Sequence, residues 1–320
     1  MRFRVPLVSG MISVCVGVMC VYTSLLANRQ DQERGDAVTY TWPVERVLLT
    51  ATFGETRGGR FHNGIDLGGD GQGITPITEG DLVYYFDAGE HPLYGITAAH
   101  GNGNIVVVQH TETTRSYYFH MQDSSVAPAL ATSLATAGGR LTQNCSLGQS
   151  GNTGRSFGAH LHLGISDRDG YINPLRVLPA YPDKVAPTIA AIMLGIGGRT
   201  DMHAVDIRDG SVISGVDRFT LLARVWDSQE NILALHTIAP YRVVFAINER
   251  VLTTITFDRI REHNGFVVRD DGTPYASTWS PQGYLIGGES ERLSGQHTIR
   301  VLAEDFAGNQ TVRSATVTFR

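Results

Sequence analysis

The chain has 320 residues, 36 of them glycine, with charged residues at 18% and a formal net charge of -5. That length accommodates two domains with cores of their own, and a glycine-rich, charge-poor composition suits turn-rich β structure. The negative charge excludes the basic footprint of a nucleic-acid-binding protein, so no nucleic-acid partner is expected.

In chain order, Met1-Arg2-Phe-Arg4 precedes an uncharged apolar stretch from Val5 to Ala27. At about 1.5 Å per helical residue this stretch is long enough to cross a hydrocarbon layer of roughly 30 Å. Residues 1–27 therefore read as an export signal or as an uncleaved N-terminal membrane anchor. Arg2 and Arg4 stay cytoplasmic by the positive-inside rule, which places everything after Asn28 outside the cytoplasm, in the periplasm or cell envelope. The inner membrane is a partner if the segment is retained. Cys15 and Cys20 lie within the apolar segment and follow no convincing lipoprotein-type cleavage sequence. Cys145 is then the single thiol of the exported part, read as a small, partly buried residue and not a ligand. Residues 28–38 form a charged linker without a hydrophobic period, and strands begin between Tyr40 and Thr52.

The chemistry is concentrated in His62-Asn-Gly-Ile-Asp66, Tyr118-Phe-His120 and His160-Leu-His162. Catalytic zinc takes three protein ligands from His, Asp or Glu and leaves its fourth position to water. His62 and Asp66 supply two such ligands if Gly64 lets the backbone bend so that they converge. His160-Leu161-His162 is the best source of the third. On an extended strand its period of two points both imidazoles to one face and Leu161 to the other, so one histidine can bind metal while its neighbour faces the scissile bond. His120 ends the aromatic run Tyr117-Tyr118-Phe119, a second strand able to present an imidazole to the same cleft.

These motifs, with Gly151-Asn-Thr-Gly154-Arg-Ser156-Phe-Gly158-Ala-His160-Leu-His162, resemble the lysostaphin-type zinc metalloendopeptidases, a family of peptidoglycan hydrolases. The resemblance runs from Phe53-Gly54 to Asn173-Pro174. It includes Gly73 to Gly80, similar to the family's segment leading into a core strand, and Gly103 to His110. It implies that His62, Asp66 and His162 hold zinc (Zn2+) and that His120 and His160 are the catalytic histidines. The chain departs from the pattern after His162, where Leu163-Gly164 stands in place of an aromatic residue and a glutamate. It departs again in the Ala-, Ser- and Thr-rich stretch Gln122 to Ser146, longer and looser than the family's.

His91, His100, His110, His203, His236, His263 and His297 lack comparable context and read as surface or structural residues. Gly151 to Ser156 lacks the Gly-Lys-Ser/Thr ending of a phosphate loop. Asp167-Arg-Asp169-Gly170 reads as a hairpin turn, not a calcium loop.

Tyr181-Pro-Asp-Lys-Val-Ala-Pro187 marks a boundary, because two prolines in seven residues interrupt regular structure. The expected domains are a mainly β, antiparallel metallopeptidase domain at 39–182, of the lysostaphin-type or duplicated-hybrid-motif kind, and an immunoglobulin-like β-sandwich at 186–320. A β-sandwich is expected from the alternating segments Phe219–Trp226, Tyr241–Ile247, His297–Ala303 and Thr311–Phe319. Its immunoglobulin-like kind is what the resemblance of Ser294 to Asn309, with Ala307-Gly-Asn309 as the turn, to the last hairpin of bacterial immunoglobulin-like domains implies. The leading functional expectation is a zinc endopeptidase acting on stem peptides or cross-links of peptidoglycan, with an envelope protein as the C-terminal domain's partner. An inactive or lid-inhibited relative that binds or activates other cell-wall enzymes is the first alternative, and an envelope adhesin or structural protein the second.

Overall fold

Short β-branched and aromatic runs separated by glycine turns fold here as strands, in a computed structural model that describes residues 38–88, 101–198, 202–229 and 238–320. The apolar segment 1–27, residues 28–37 of the linker, Cys15, Cys20, His91, His100 and His236 lie outside the described residues. No helix among the described residues is long and apolar enough to cross a membrane.

The N-terminal half runs β1 (Leu49–Ala51), β2 (Ile65–Gly68), β3 (Gly73–Ile74), β4 (Asp81–Phe86), β5 (Asn104–Gln109) and β6 (Arg115–Met121). Helix α1 (Val126–Ala137) leads to β7 (Gly148–Gln149), β8 (His160–Asp167) and β9 (Gly170–Ile172). The C-terminal half continues with β10 (Thr188–Ile196), β11 (His203–Ile207), β12 (Ser211–Ile213), β13 (Arg218–Trp226), β14 (Arg242–Ile247) and β15 (Arg250–Thr256). It closes with β16 (Arg259–His263), β17 (Phe266–Arg269), the single turn α2 (Tyr275–Thr278), β18 (Leu285–Glu291), β19 (Gly295–Glu304) and β20 (Gln310–Phe319).

The largest sheet has nine strands, in the order β17-β16-β9-β8-β6-β5-β4, with β2 also paired to β8 and β1 to β2. Strand β8 is its hub, because β2, β6 and β9 all pair with it antiparallel. Leu161, Leu163 and Ile165 point to one face of β8 and are fully buried with Ile65, Leu67, Val106, Val108 and Tyr118. That period of two leaves His160 and His162 on the other face. Asp167 and Gly170 pair across the β8–β9 turn, and the Asp167 carboxylate accepts from the Asp169 N–H at 2.8 Å, so this segment is a hairpin turn.

Two expectations are corrected. Gly73–Gly80 leads into β4, which among the described residues pairs with β5 alone, so it is an edge strand there, with Val83, Tyr84 and Tyr85 exposed. The stretch Gln122 to Ser146 is not loose. Its Ala-rich middle is α1, which buries Val126, Ala127 and Leu130 and ends at Gly138 in the left-handed conformation (φ 68°). Asp87 accepts from the N–H groups of Ser124, Val126 and Ala127, satisfying the orphan donors of its first turn. Pro128 falls in that turn, where its missing N–H costs nothing.

Beyond residue 187 two sheets face each other, β11-β10-β13-β18 and β12-β20-β19-β14-β15. Their inner residues, among them Ile192, Phe219, Leu221, Val243, Phe245, Ile299, Val301 and Val317, form one core. All pairs in the two sheets are antiparallel except β12 with β20.

Tyr40–Arg320 is one compact unit, and the two halves share structure. Phe53 and Phe61 are buried in the C-terminal core. The β16–β17 hairpin extends the nine-stranded sheet through β9, pairing Ile260 with Tyr171. Arg259 clamps Asp167 through Nη1 and Nη2 of its guanidinium, and Asn173 Nδ2 donates to Phe257 O at 2.9 Å.

Asp183, Asp227 and Asp305 bring carboxylate oxygens within 4.8 Å of one another. Burial, reinforced by the charges of Asp305 and Asp183, pushes Asp227 up to about 8. The unfolded chain loses this proton near its ordinary 3.8. The folded state therefore holds a proton that the unfolded state lacks, and the group's contribution to stability declines as pH rises from about 4 to about 8. Asp227→Asn is expected to raise Tm by more at pH 8 than at pH 5 in chelator-containing buffer; calorimetry showing no growth of the difference with pH would contradict this.

Candidate metal centre

Strand pairing assembles the site. In the β2–β8 ladder Asp66 lies directly opposite His162. His62 enters from the segment before β2, its backbone N–H donating to Glu55 O and its C=O accepting from Gly54 N. His62 Nε2 lies 3.0 Å from Asp66 Oδ1 and 3.0 Å from His162 Nδ1, and His162 Nδ1 lies 2.9 Å from Asp66 Oδ1. The three residues are 6–7% exposed. For metal–ligand distances of about 2.0–2.2 Å, tetrahedral donors stand roughly 3.3–3.6 Å apart, so this triangle needs an expansion of a few tenths of an ångström to accept the ion. Two imidazole nitrogens with one carboxylate oxygen form a donor set of zinc-binding type.

Supporting contacts fix the ring orientations. His62 Nδ1 donates to Thr52 O at 2.8 Å, which leaves the Nε2 lone pair free for a metal. Phe119 stacks on His162 with centroids 5.3 Å apart and planes 5° from parallel. His162 Nε2 is buried without a partner. Gly64 lies against it, and a Cβ there would stand 2.7 Å from that nitrogen while also striking Leu163 O. Glycine at 64 is thus required for close approach as well as for a bend. Asp66 Oδ2 accepts from Arg57 Nη2 at 2.8 Å.

The charge states of His162 and Asp66 suit metal binding, whereas a metal must displace the proton that Asp66 favours on His62. Burial lowers the His162 pKa to about 4, so it is a neutral ligand at neutral pH. Burial also works against the Asp66 carboxylate and against protonated His62, but their mutual attraction prevails, holding Asp66 well below the usual carboxylate range and raising His62.

His120 and His160 complete the group. Their rings are 4.8 Å apart, and His160 Nε2 lies 3.6 Å from Asp66 Oδ1. His120 Nδ1 donates to Thr153 O at 2.8 Å and His160 Nδ1 to Gly158 O at 2.7 Å. Both acceptors are carbonyls, so in neutral rings the Nε2 atoms keep their lone pairs. Burial, helped by His160, lowers the His120 pKa. Strand alternation alone would turn His120 into the core with Tyr118. A φ of 62° at His120 breaks the period and turns its ring to the face shared with Phe119 and His162. A left-handed non-glycine residue at this position is strain placed at a site.

All five residues singled out in the sequence therefore converge. His110 does not join them, since its Nδ1 meets Glu79 O and its Nε2 meets Ser116 Oγ. His203, His263 and His297 lie outside the group. Cys145 is buried, with Thr142 N donating to its sulfur at 3.3 Å. Sequence reasoning missed Thr52, Arg57, Phe119, Thr153 and Gly158. Thr153 and Gly158 lie in the glycine block, which carried a signal; Thr52 and Arg57 carried none.

Residues 60–174 match peptidase family M23, and a second family profile matches residues 186–320. Over 146 residues the chain is 32% identical to the murein hydrolase activator NlpD of Escherichia coli (strain K12), covering 44% of this chain and 31% of that protein. The NlpD of Salmonella typhimurium is 30% identical over 145 residues, with the same coverage of 44% and 31%. The chain thus spans 31% of the length of these curated relatives. Similar solved structures include a zinc containing peptidase from Vibrio cholerae, 20% identical with a TM-score of 0.32, covering 42% of this chain and 39% of that one. The catalytic domain of lysostaphin from Staphylococcus simulans is 19% identical with a TM-score of 0.32, covering 41% and 90%.

Gly64→Ala is expected to displace His162 and weaken zinc binding by roughly 10- to 100-fold, the range for disturbed supporting contacts; titration calorimetry giving the wild-type affinity would refute the close-approach argument.

Proposed function

From the match of residues 60–174 to peptidase family M23 and the geometry of the site, we propose that this chain is a zinc-dependent endopeptidase that hydrolyses peptide bonds in the stem peptides or cross-links of peptidoglycan. The observation that carries this reading is the convergence of His62, Asp66 and His162 with two more imidazoles whose Nδ1 atoms are tied to carbonyls. Zinc held by His62, Asp66 and His162 would supply a Lewis acid for the peptide carbonyl and a water of lowered pKa. His160 receives a proton from the attacking water at Nε2, because Gly158 O occupies Nδ1–H. His120, kept neutral by burial, is a second acceptor at Nε2 that orients the water. Once protonated, either Nε2 becomes a donor, to the developing oxyanion or to the leaving amine.

A peptidoglycan substrate would be met outside the cytoplasm, and the apolar N-terminal segment followed by a charged linker supports that location. A second reading, activation of another cell-wall hydrolase, is favoured by the 32% identity to a murein hydrolase activator.

His160→Ala and His120→Ala are each expected to bind one zinc with near wild-type affinity and to lose on the order of 100-fold or more in the release of peptide fragments from purified sacculi. Mass spectrometry of the digest identifies the bond. No release by zinc-loaded wild type, with stimulation of an added murein hydrolase, would replace the first reading with the second.

A further inference from the structure

Arg57 and Glu55 stand beside the metal centre without belonging to the ligand or catalytic set. We infer that Arg57 is a positioning residue for Asp66 and that the C-terminal domain holds it there through Glu55, so that the outer shell of the metal centre is completed by the second domain. The inference rests on the reading that His62, Asp66 and His162 hold zinc.

The two oxygens of Asp66 have different tasks. Oδ1 faces His62 and His162, whereas Oδ2 accepts from Arg57 Nη2 at 2.8 Å. A carboxylate whose outer oxygen is engaged by a guanidinium offers a single oxygen in a fixed direction. An exposed ion pair contributes little, but Asp66 is 7% exposed, so this pair is partly desolvated.

The Arg57 side chain is 38% exposed. It lies on a tight hairpin closed by Thr56 and Phe61, with Gly58 (φ 57°) and Gly59 (φ 96°) at its tip. Left alone, such a side chain would spread over many rotamers. Glu55 Oε2 restrains it at 3.3 Å. Glu55 is in turn anchored at Oε1, which accepts from Thr52 N at 2.6 Å and from Ala239 N at 3.3 Å. Ala239 belongs to the C-terminal half, and its carbonyl accepts from Thr52 Oγ1 at 2.9 Å. The backbone of one buried residue, Ala239, therefore touches both outer arms of the site, its N–H through Glu55 and Arg57 to Asp66 and its C=O through Thr52 to His62. Trp279 Nε1 donates to Gly54 O at 3.0 Å, and the Phe257 ring packs where a side chain at Gly54 would stand. The segment between the two arms is thereby fixed.

A competing effect has the opposite sign, since a guanidinium beside the ion repels it. Zinc affinity decides between them. Competition against a chromophoric chelator, using the full chain as wild type, Arg57→Met, Arg57→Lys and Glu55→Gln, measures it without reference to catalysis. Arg57→Met is expected to bind zinc roughly 10- to 100-fold more weakly, with the Tm of the zinc-free protein little changed. Arg57→Lys should recover part of that loss, because it keeps the charge without the fork. Glu55→Gln keeps the Oε1 acceptor but not the charge, and should fall between wild type and Arg57→Met. Unchanged or tighter binding by Arg57→Met would overturn the positioning role. Wild-type affinity in Glu55→Gln would sever the link to the C-terminal domain. Failure of the wild type to bind zinc would remove the reading of the site itself, and the inference with it.

Discussion

The pairing of Ile65–Gly68 with His160–Asp167 sets Asp66 opposite His162, and the rest of the site is arranged about that pair. A shift of one residue in this ladder would carry His160 and His162 into the layer of Leu161 and Leu163 and expose those leucines. The register is held by apolar burial on one face, where Ile65, Leu67, Leu161 and Leu163 are fully enclosed. The same burial that stabilises the sheet therefore aims the polar side chains of its other face. Tight approach at Gly64, and the Phe119 ring on His162, then leave the imidazole little freedom.

The two halves of the chain are mechanically joined at this site. The β16–β17 hairpin lengthens the sheet that carries Asp66 and His162, and Phe53 and Phe61 reach into the opposite core. Residues 52–62, which supply His62 and its Thr52 acceptor, thus pass between two packed cores. An isolated N-terminal half would expose Phe53 and Phe61 and leave β9 as a bare sheet edge.

Much of the site was legible in the sequence because its residues sit in regular strands or in glycine-marked turns. His160 and His162 follow from the period of two, and the buried Leu161 between them is the signature of that period. The four alternating segments of the C-terminal half lie on β13, β14, β19 and β20. His120 was placed at the site by its motif, but its means of reaching it was not visible. The aromatic run implies a continuous strand, whereas the left-handed backbone at His120 interrupts it. Helix α1 escaped notice because Ala, Ser and Thr supply a weak apolar stripe, and its start depends on Asp87, far away in sequence. Glu55 and Arg57 were invisible for the same reason, since what positions them is a peptide group at Ala239.

X-ray absorption at the zinc edge of the full chain loaded with one equivalent of zinc tests the central claim most directly. Two imidazole nitrogens, one carboxylate oxygen and one further light atom, all at about 2.0–2.2 Å, are the predicted shell. A sulfur scatterer at about 2.3 Å, or six oxygens without imidazole outer-shell scattering, would contradict the assignment of His62, Asp66 and His162 as the metal centre.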